Sequence, residues 1–465
     1  MNKILVLIKK IIPQPLFRKI QPSYHLAMNW LAGVWYGFPS EKLTVVGVTG
    51  TTGKTTTVFM TAELLRSAGL KVGYTSTAMF SDGEKDWLND KKMTMLGRFF
   101  TQRMLRQMVK NKCDVAIIET TSEGIVQNRH RFINYDIVEF TGLYPEHIDS
   151  HGSFENYKNA RLKLFEHLSQ NSKNKKLKQK IKKTIIANLD DKYAKEFLDF
   201  AVERKIGFFS GKPLEKKNGI QEEDKSQNPD LELVEYRFLE MNKTGTKFIF
   251  SGTEIQLKIL GEFNALNATA AGCIGRALGV DDKEIKKGLE KIDNLPGRLE
   301  RIEEGQNFTV VVDYAFEPVA VTKLYETVKV FQANRIIHIL GSTGGGRDVD
   351  RREKLGRIAG EKADIVIVTN EDPYDDNPLE IIQDVAEGAE KVGKIKDENL
   401  FLIEDRREAI KKAVSLAREN DLILLTGKGS EQAIVVKGGE LIPWDDRQVV
   451  RRELQAIQKE RVKNK

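Results

Sequence analysis

Cysteine, long apolar runs and any large excess of one charge are all missing from this sequence. Only two cysteines occur in 465 residues, Cys113 and Cys273. They cannot form a disulfide framework, and neither has neighbours at zinc-ligand spacing, which suits a reducing cytoplasm. No apolar run reaches the ~20 residues that cross a bilayer. The amino-terminal stretch is interrupted by Lys9 and Lys10 and has no small-residue cleavage site, so it does not read as a secretory signal. The net charge of +7 is small beside 74 basic and 67 acidic residues, and much of the excess lies in one solvated run, Lys173 to Lys183. No zinc-finger or aromatic-basic motif accompanies it, which argues against a nucleic-acid partner. Internal repeats are absent too.

What remains has the make-up of a soluble globular protein, 40% hydrophobic and 30% charged, and is long enough for more than one core. Short β-branched runs alternate with helical stretches, the pattern of α/β layers on a mainly parallel sheet. Strands are expected at Leu43–Val48, Val115–Glu119, Ile137–Thr141, Thr184–Asn188, Val310–Asp313, Ile336–Leu340, Ile365–Thr369 and Leu422–Thr426. Helices are expected at Thr55–Ala68, Phe99–Lys110, Phe154–Leu168 and Arg351–Lys362, with polar surface connections at Ser169–Lys183 and Lys212–Asp230. The layout is a short helical leader over residues 1–42, a phosphate-loop ATPase domain over 43–296, and a smaller Rossmann-like α/β domain over 297–465. In the leader, Ile4, Leu5, Leu7, Ile8, Ile11 and Ile12 fall at helical spacing with lysines between them. Such a helix either packs on the protein body or, through residues 1–20, rests on an anionic membrane surface.

The strongest local signal runs from Leu43 to Thr57. A buried strand leads through Gly50-Thr51-Thr52-Gly53 into a helix that opens with Lys54, Thr55 and Thr56. Glycines at such a turn let backbone N–H groups approach an anion, the lysine adds positive charge, and the helix terminus adds its dipole. This is a site for the phosphates of ATP, with the Thr55 hydroxyl turned to Mg2+. The pattern departs from the usual one at Val48, where a glycine is common. A carboxylate is needed near the metal, and Glu119 ends a strand at the edge where α/β sheets hold their ligands. His147, in Glu146-His-Ile-Asp149-Ser-His-Gly, follows another strand, so the expected metal group is Thr55, Glu119 and His147.

Taken in order, seven motifs resemble those of the Mur ligase family. They are Thr49-Gly-Thr-Thr-Gly-Lys-Thr-Thr, Glu119-Thr-Thr-Ser, His147-Ile-Asp-Ser-His-Gly, Gly261-Glu-Phe-Asn-Ala-Leu-Asn, Pro296-Gly-Arg-Leu-Glu, Asp313-Tyr-Ala and Gly427-Lys-Gly-Ser-Glu. The likeness extends from about Leu43 to Glu431 and is greatest to the branch that adds the third residue of the muramyl peptide. The resemblance implies an ATP-dependent ligase of peptidoglycan precursor synthesis. ATP phosphorylates a muramyl-peptide carboxylate, and an amino acid's amine then displaces phosphate. It further implies that Asn264 and Asn267 lie near the base of ATP, that Arg298 and Asp313 reach the nucleotide from the domain junction, and that Thr120, Thr121 and Ser122 meet the acceptor. Arg347, Asp372, Tyr374, Lys428 and Glu431 would then form the amino-acid site. Outside that likeness, Asn267 reads as a helix-capping residue, Arg298 as an exposed turn residue and Glu431 as an acid at a helix start.

Several positions depart from the family pattern. Arg161 stands where a lysine usually carries a carbamate for a second metal, and arginine does not readily carry one. The alternatives are that the second metal is lost, that Arg161 touches phosphate itself, or that Lys158 or Lys163 is the counterpart. Glu123, Phe316 and Ser430 replace histidines, and Glu146 replaces an aspartate. With 42 residues before Leu43, the family's separate UDP-gripping domain is expected to be missing, which opens the way to a lipid-linked acceptor. Glu371-Asp372-Pro373-Tyr374 stands where diaminopimelate-accepting members have Asp-Asn-Pro-Arg, so Asp372 points to lysine or another basic amine. Two other functions stay open: a folylpolyglutamate- or poly-γ-glutamate-type ligase, and a nucleotide-binding subunit without catalysis.

Overall fold

The computed structural model describes residues 14–145, 151–171, 175, 181–211, 231–346 and 349–463. Two large sheets carry the described residues, with a two-stranded ribbon of Ala433–Val436 and Glu440–Pro443 following them in sequence. In the larger, eleven strands are ordered Thr253–Leu257, Gly245–Phe250, Leu231–Asn242, Arg204–Ser210, Thr184–Asn188, Ile137–Phe140, Thr44–Thr49, Val115–Glu119, Val72–Thr75, Met79–Ser81 and Asp86–Leu88. Pairing is parallel from Leu231–Asn242 to Val72–Thr75 and antiparallel at both edges. The smaller sheet runs Glu300–Arg301, Thr309–Val312, Leu422–Leu425, Ile336–Leu340, Ile365–Thr369 and Leu400–Ile403, parallel except at its first strand.

Both faces of each parallel sheet are covered, which is why the strands read as unbroken apolar runs rather than alternating ones. In the strand Thr44–Thr49, Val46 and Val48 face one core, while Val45 and the preceding Leu43 face the other. The smaller sheet divides its residues in the same way: Val366 and Val368 belong to one core and Ile365 and Ile367 to the other.

All eight expected strands form within one residue of their expected limits, and the four expected helices form within two. The four strands between Arg204 and Leu257, the last two of them antiparallel, were not foreseen. Their residues alternate with charges, as in Leu231-Glu-Leu-Val-Glu-Tyr-Arg, because a sheet edge is covered less completely. The leader contains a helix, Gln14–Tyr36, which continues through Pro22. The apolar segment from Ile4 to Ile12 and the polar segment 212–230 lie outside the described residues. Of the polar connection expected at Ser169–Lys183, the first two residues instead complete the Phe154–Gln170 helix.

Behind the first strand, the helix Lys54–Ser67 is held by two others, Glu262–Ala277 and Asp282–Glu290. Contact is close enough that a Cβ on Gly288 would sit 2.9 Å from the Cα of Leu64.

Candidate active site

At the carboxyl end of the first strand the chain turns through Gly50, with φ of 151°, and Gly53, with φ of 85°. Both turns are closed to side chains. A Cβ on Gly50 would meet the Thr141 hydroxyl, and one on Gly53 would lie 2.5 Å from Oδ1 of Asn267. The Lys54 ammonium folds back onto the turn, donating to the carbonyls of Gly50 at 2.8 Å and Thr51 at 2.7 Å. Burial and the neighbouring Arg161 guanidinium lower its pKa to about 8. An anion in the turn would oppose both effects by favouring the charged ammonium.

Glu119 does end its strand facing this turn. Thr55 donates its hydroxyl to Glu119 at 2.9 Å, and Thr77 donates both its N–H, at 2.8 Å, and its hydroxyl, at 2.9 Å. Among the described residues no group of three or more His, Cys, Asp or Glu side chains gathers to hold a metal. The oxygen pair of Thr55 and Glu119 nevertheless fits magnesium, which is commonly held by one or two carboxylates together with phosphate oxygens. His147 lies outside the described residues.

Arg161 is buried in the helix Phe154–Gln170 behind the same turn. It donates to the Thr49 hydroxyl at 2.7 Å and to the Tyr157 hydroxyl at 2.5 Å, with its guanidinium over the Tyr157 ring. Its remaining Nε–H has no hydrogen-bond partner among the described residues. Lys158 instead pairs with Glu155 and Glu196, and neither it nor Lys163 lines the cleft. Of the three candidates for this position, Arg161 is therefore the one that reaches the cleft.

That cleft, of about 770 Å³, lies between the two sheets. Thr51 to Thr56, Glu119, Asn264 and Asn267 line one wall, and Arg298, Asp313, Asp372, Tyr374 and Glu431 line the other. Asn264 and Asn267 are bonded to each other at 3.1 Å beside Gly53. Arg298 lies over the Tyr314 ring, while Asp313 accepts from the backbone N–H groups of Leu299 and Ala315, each at 2.7 Å. Tyr144 reaches across to Glu317 at 3.0 Å.

Deeper in the far wall, the fully buried Lys428 donates to Asp372 at 2.8 Å and to Glu431 at 2.7 Å. Tyr314 donates its hydroxyl to the other Glu431 oxygen at 3.3 Å, and the N–H of Val435 donates to Asp372 at 2.8 Å. Glu371, next to this group, is pushed up to about 7 by burial.

The sequence matches the Mur ligase middle domain over residues 48–275 and the Mur ligase glutamate ligase domain over residues 297–429. It is 36% identical to the UDP-N-acetylmuramyl-tripeptide synthetase of Roseiflexus sp. (strain RS-1), over 95% of this chain and 84% of the relative. The chain belongs to the Mur ligase family. A second member of the family, the UDP-N-acetylmuramoyl-L-alanyl-D-glutamate--2,6-diaminopimelate ligase of Clostridium botulinum, is 33% identical over 91% of this chain and 80% of its own. A solved UDP-N-acetylmuramoyl-L-alanyl-D-glutamate--2,6-diaminopimelate ligase superposes with a TM-score of 0.55 at 25% identity, covering 90% of this chain and 79% of that one.

Two residues expected at the substrates of this Mur ligase are placed elsewhere. Thr120 does not line the cleft: it is fully buried and donates its hydroxyl to the Ile118 carbonyl, because the residue after Glu119 turns to the opposite side of the strand. Lys428 lies beneath the cleft as the counter-ion of Asp372 and Glu431, with no surface left for a ligand. Thr121 accepts from the Gly124 N–H as a helix cap but still reaches the cleft, and Ser122 meets His151 at 3.1 Å. Arg347 lies outside the described residues. Sequence reasoning missed Thr77, Lys92 and Arg129, which also line the cleft. Thr77 had a signal, since it follows the end of the strand Val72–Thr75. Lys92 and Arg129 sit in loops without motif or periodicity.

Proposed function

We propose that this Mur ligase joins the amine of a basic amino acid, lysine being the best fit, to the carboxylate of a muramyl-peptide-like acceptor in peptidoglycan precursor synthesis. The observation that carries the reading is the meeting of two walls in one cleft. A phosphate turn with Lys54 and Arg161 faces the carboxylates of Asp372 and Glu431. The acceptor carboxylate attacks the terminal phosphorus of ATP and ADP leaves; the amine nitrogen then attacks the acyl carbon, loses a proton and expels phosphate. Such phosphoryl transfer depends on positioning and charge neutralisation rather than on a protein nucleophile. Lys54 and Arg161 supply fixed positive charge, Gly50 to Thr56 supply N–H groups, and Asn264 and Asn267 brace the turn. Magnesium held by Thr55 and Glu119, with His147 as the expected third ligand, would neutralise phosphate charge. Arg298 and Asp313 would close on the nucleotide from the far wall. In place of the carbamylated lysine, Arg161 serves as a permanent cation. The working division of the chain is a leader over residues 1–42, an ATPase domain over 43–296 and an amine-site domain over 297–465.

Phosphate release from ATP, with UDP-MurNAc-dipeptide as acceptor and a panel of amino acids, tests this directly. Release that needs both the acceptor and a basic amino acid is expected. Release equal for all amino acids, or independent of the acceptor, overturns it.

The leader carries a second, narrower reading, that of a peripheral contact with anionic membrane on the cytoplasmic side. No helix among the described residues is long and apolar enough to cross a membrane. The first 40 residues nonetheless include five Lys or Arg and no Asp or Glu. The helix Gln14–Tyr36 also leaves Trp30, Leu31, Val34 and Trp35 exposed, Trp35 to 74%. An apolar face with basic flanks is the composition of an interfacial helix. Deleting residues 1–20 should reduce sedimentation with vesicles containing phosphatidylglycerol. An unchanged profile removes the membrane from the account.

A further inference from the structure

The pair of carboxylates assigned to the amine is already occupied by the chain itself. Lys92 lies in the segment between the Asp86–Leu88 strand and the Arg98–Lys110 helix, on the phosphate side of the cleft. Its ammonium crosses to the far wall and meets Asp372 at 2.7 Å and Glu431 at 2.5 Å. Asp372 offers Oδ2 to Lys92 and Oδ1 to Lys428, while Lys92 and Lys428 share Oε2 of Glu431.

The two lysines are not equivalent. Lys428 has no exposed surface and belongs to the same wall as both carboxylates, so it is part of the seat. Lys92 keeps 11% of its side-chain surface exposed, lines the cleft and belongs to a loop of the opposite wall. Without Lys92, two carboxylates would face one ammonium, leaving one unbalanced negative charge in a nearly dry site. A charge left so is costly, which makes the position selective for a cation.

We propose that Lys92 is a built-in occupant of the seat formed by Asp372 and Glu431, displaced by the side-chain ammonium of the incoming amino acid, and is thereby a specificity-determining residue of this ligase. A neutral or acidic side chain cannot replace the charge that Lys92 takes away, so such amino acids are refused at this step. The same displacement frees the loop around Lys92 from the far wall. The inference rests on the assignment of Asp372 and Glu431 to the amine.

Calorimetric titration of the full chain with L-lysine, in the presence of a non-hydrolysable ATP analogue and magnesium, tests it. Lys92→Met keeps the apolar stem and removes the ammonium. Removing an internal competitor raises apparent affinity by the inverse of the free fraction. Lysine should therefore bind Lys92→Met about tenfold or more tightly than wild type, a gain that a merely structural clamp would not produce. Glutamate should remain unbound in both. Added lysine should also speed amide exchange in residues 89–97 of the wild type, reporting release of the loop.

Equal or weaker lysine binding by Lys92→Met overturns the proposal. The double variant Lys92→Met/Asp372→Asn separates this failure from that of the underlying assignment. If it binds lysine as well as Lys92→Met does, or if no variant binds lysine, the carboxylates are not the amine seat and both readings fall.

Discussion

The two walls of the cleft are built in opposite ways. The phosphate wall is local: Gly50 to Thr56 are consecutive, and the backbone supplies most of the chemistry through a turn and a helix terminus. Even its closest side-chain charge, Lys54, bonds within its own turn. The amine wall is assembled from distant pieces. Asp372 follows one strand, Lys428 and Glu431 follow another, and Lys92 reaches in from a loop of the phosphate wall. On the phosphate wall one side chain, Lys54, carries charge that the backbone cannot replace; on the amine wall each carboxylate needs a cation opposite it, whether Lys92 or a group of the incoming amino acid. That contrast also predicts where each wall should fail.

The largest effect is expected at Lys54. Lys54→Met removes charge from the point where it develops on the transferring phosphoryl group, and losses of about 10²–10³ in kcat accompany removal of one such stabilising group. A fall in kcat of less than tenfold would show that Arg161 and the backbone carry this wall without Lys54. On the amine wall, Asp372→Asn should raise KM for the amino acid by about ten- to a hundredfold, in keeping with one charged hydrogen bond. Acyl-phosphate formation, read by trapping with hydroxylamine, should continue. If trapping fails along with ligation, the two walls are not separable as described.

A smaller effect belongs to Glu371, whose side chain is buried beside the amine wall without touching the lysines. Burial raises its folded-state pKa from the ordinary 4.5 to about 7. Because the folded value is the higher, the folded state holds the proton more tightly. Stability linked to this group is therefore full below about pH 4.5 and is lost as pH rises through about 7. Glu371→Gln should melt a few degrees higher than wild type at pH 8, with the gain shrinking toward pH 5. A gain independent of pH would assign the effect to packing instead.

The same division explains how much could be read from the sequence. Gly50, Gly53, Lys54 and Thr55 are legible because a strand, a turn and a helix must follow one another in sequence for the turn to work. Glu119 is legible because strand ends of parallel sheets face the crevice, and Thr120 was misplaced for the related reason that the next residue faces the other way. Asp372, Lys428 and Glu431 were found through family motifs, but their mutual pairing was not, since it depends on which strands the sheet sets side by side. For Lys92 the sequence holds no signal at all: Asp90-Lys-Lys-Met reads as a solvated loop until the opposite wall is placed against it.

The contact behind the phosphate turn has a mechanical consequence. Leu64 lies ten residues along the helix from Lys54, about 15 Å at the usual rise. With Gly288 pressed against its backbone there, that end of the helix acts as a fulcrum, and the amides at the other end are aimed by it. A single methyl group added at Gly288 would lever the helix axis away from its support and swing those amides off their target, so that the aim of the phosphate wall is set at a position no nucleotide ever touches.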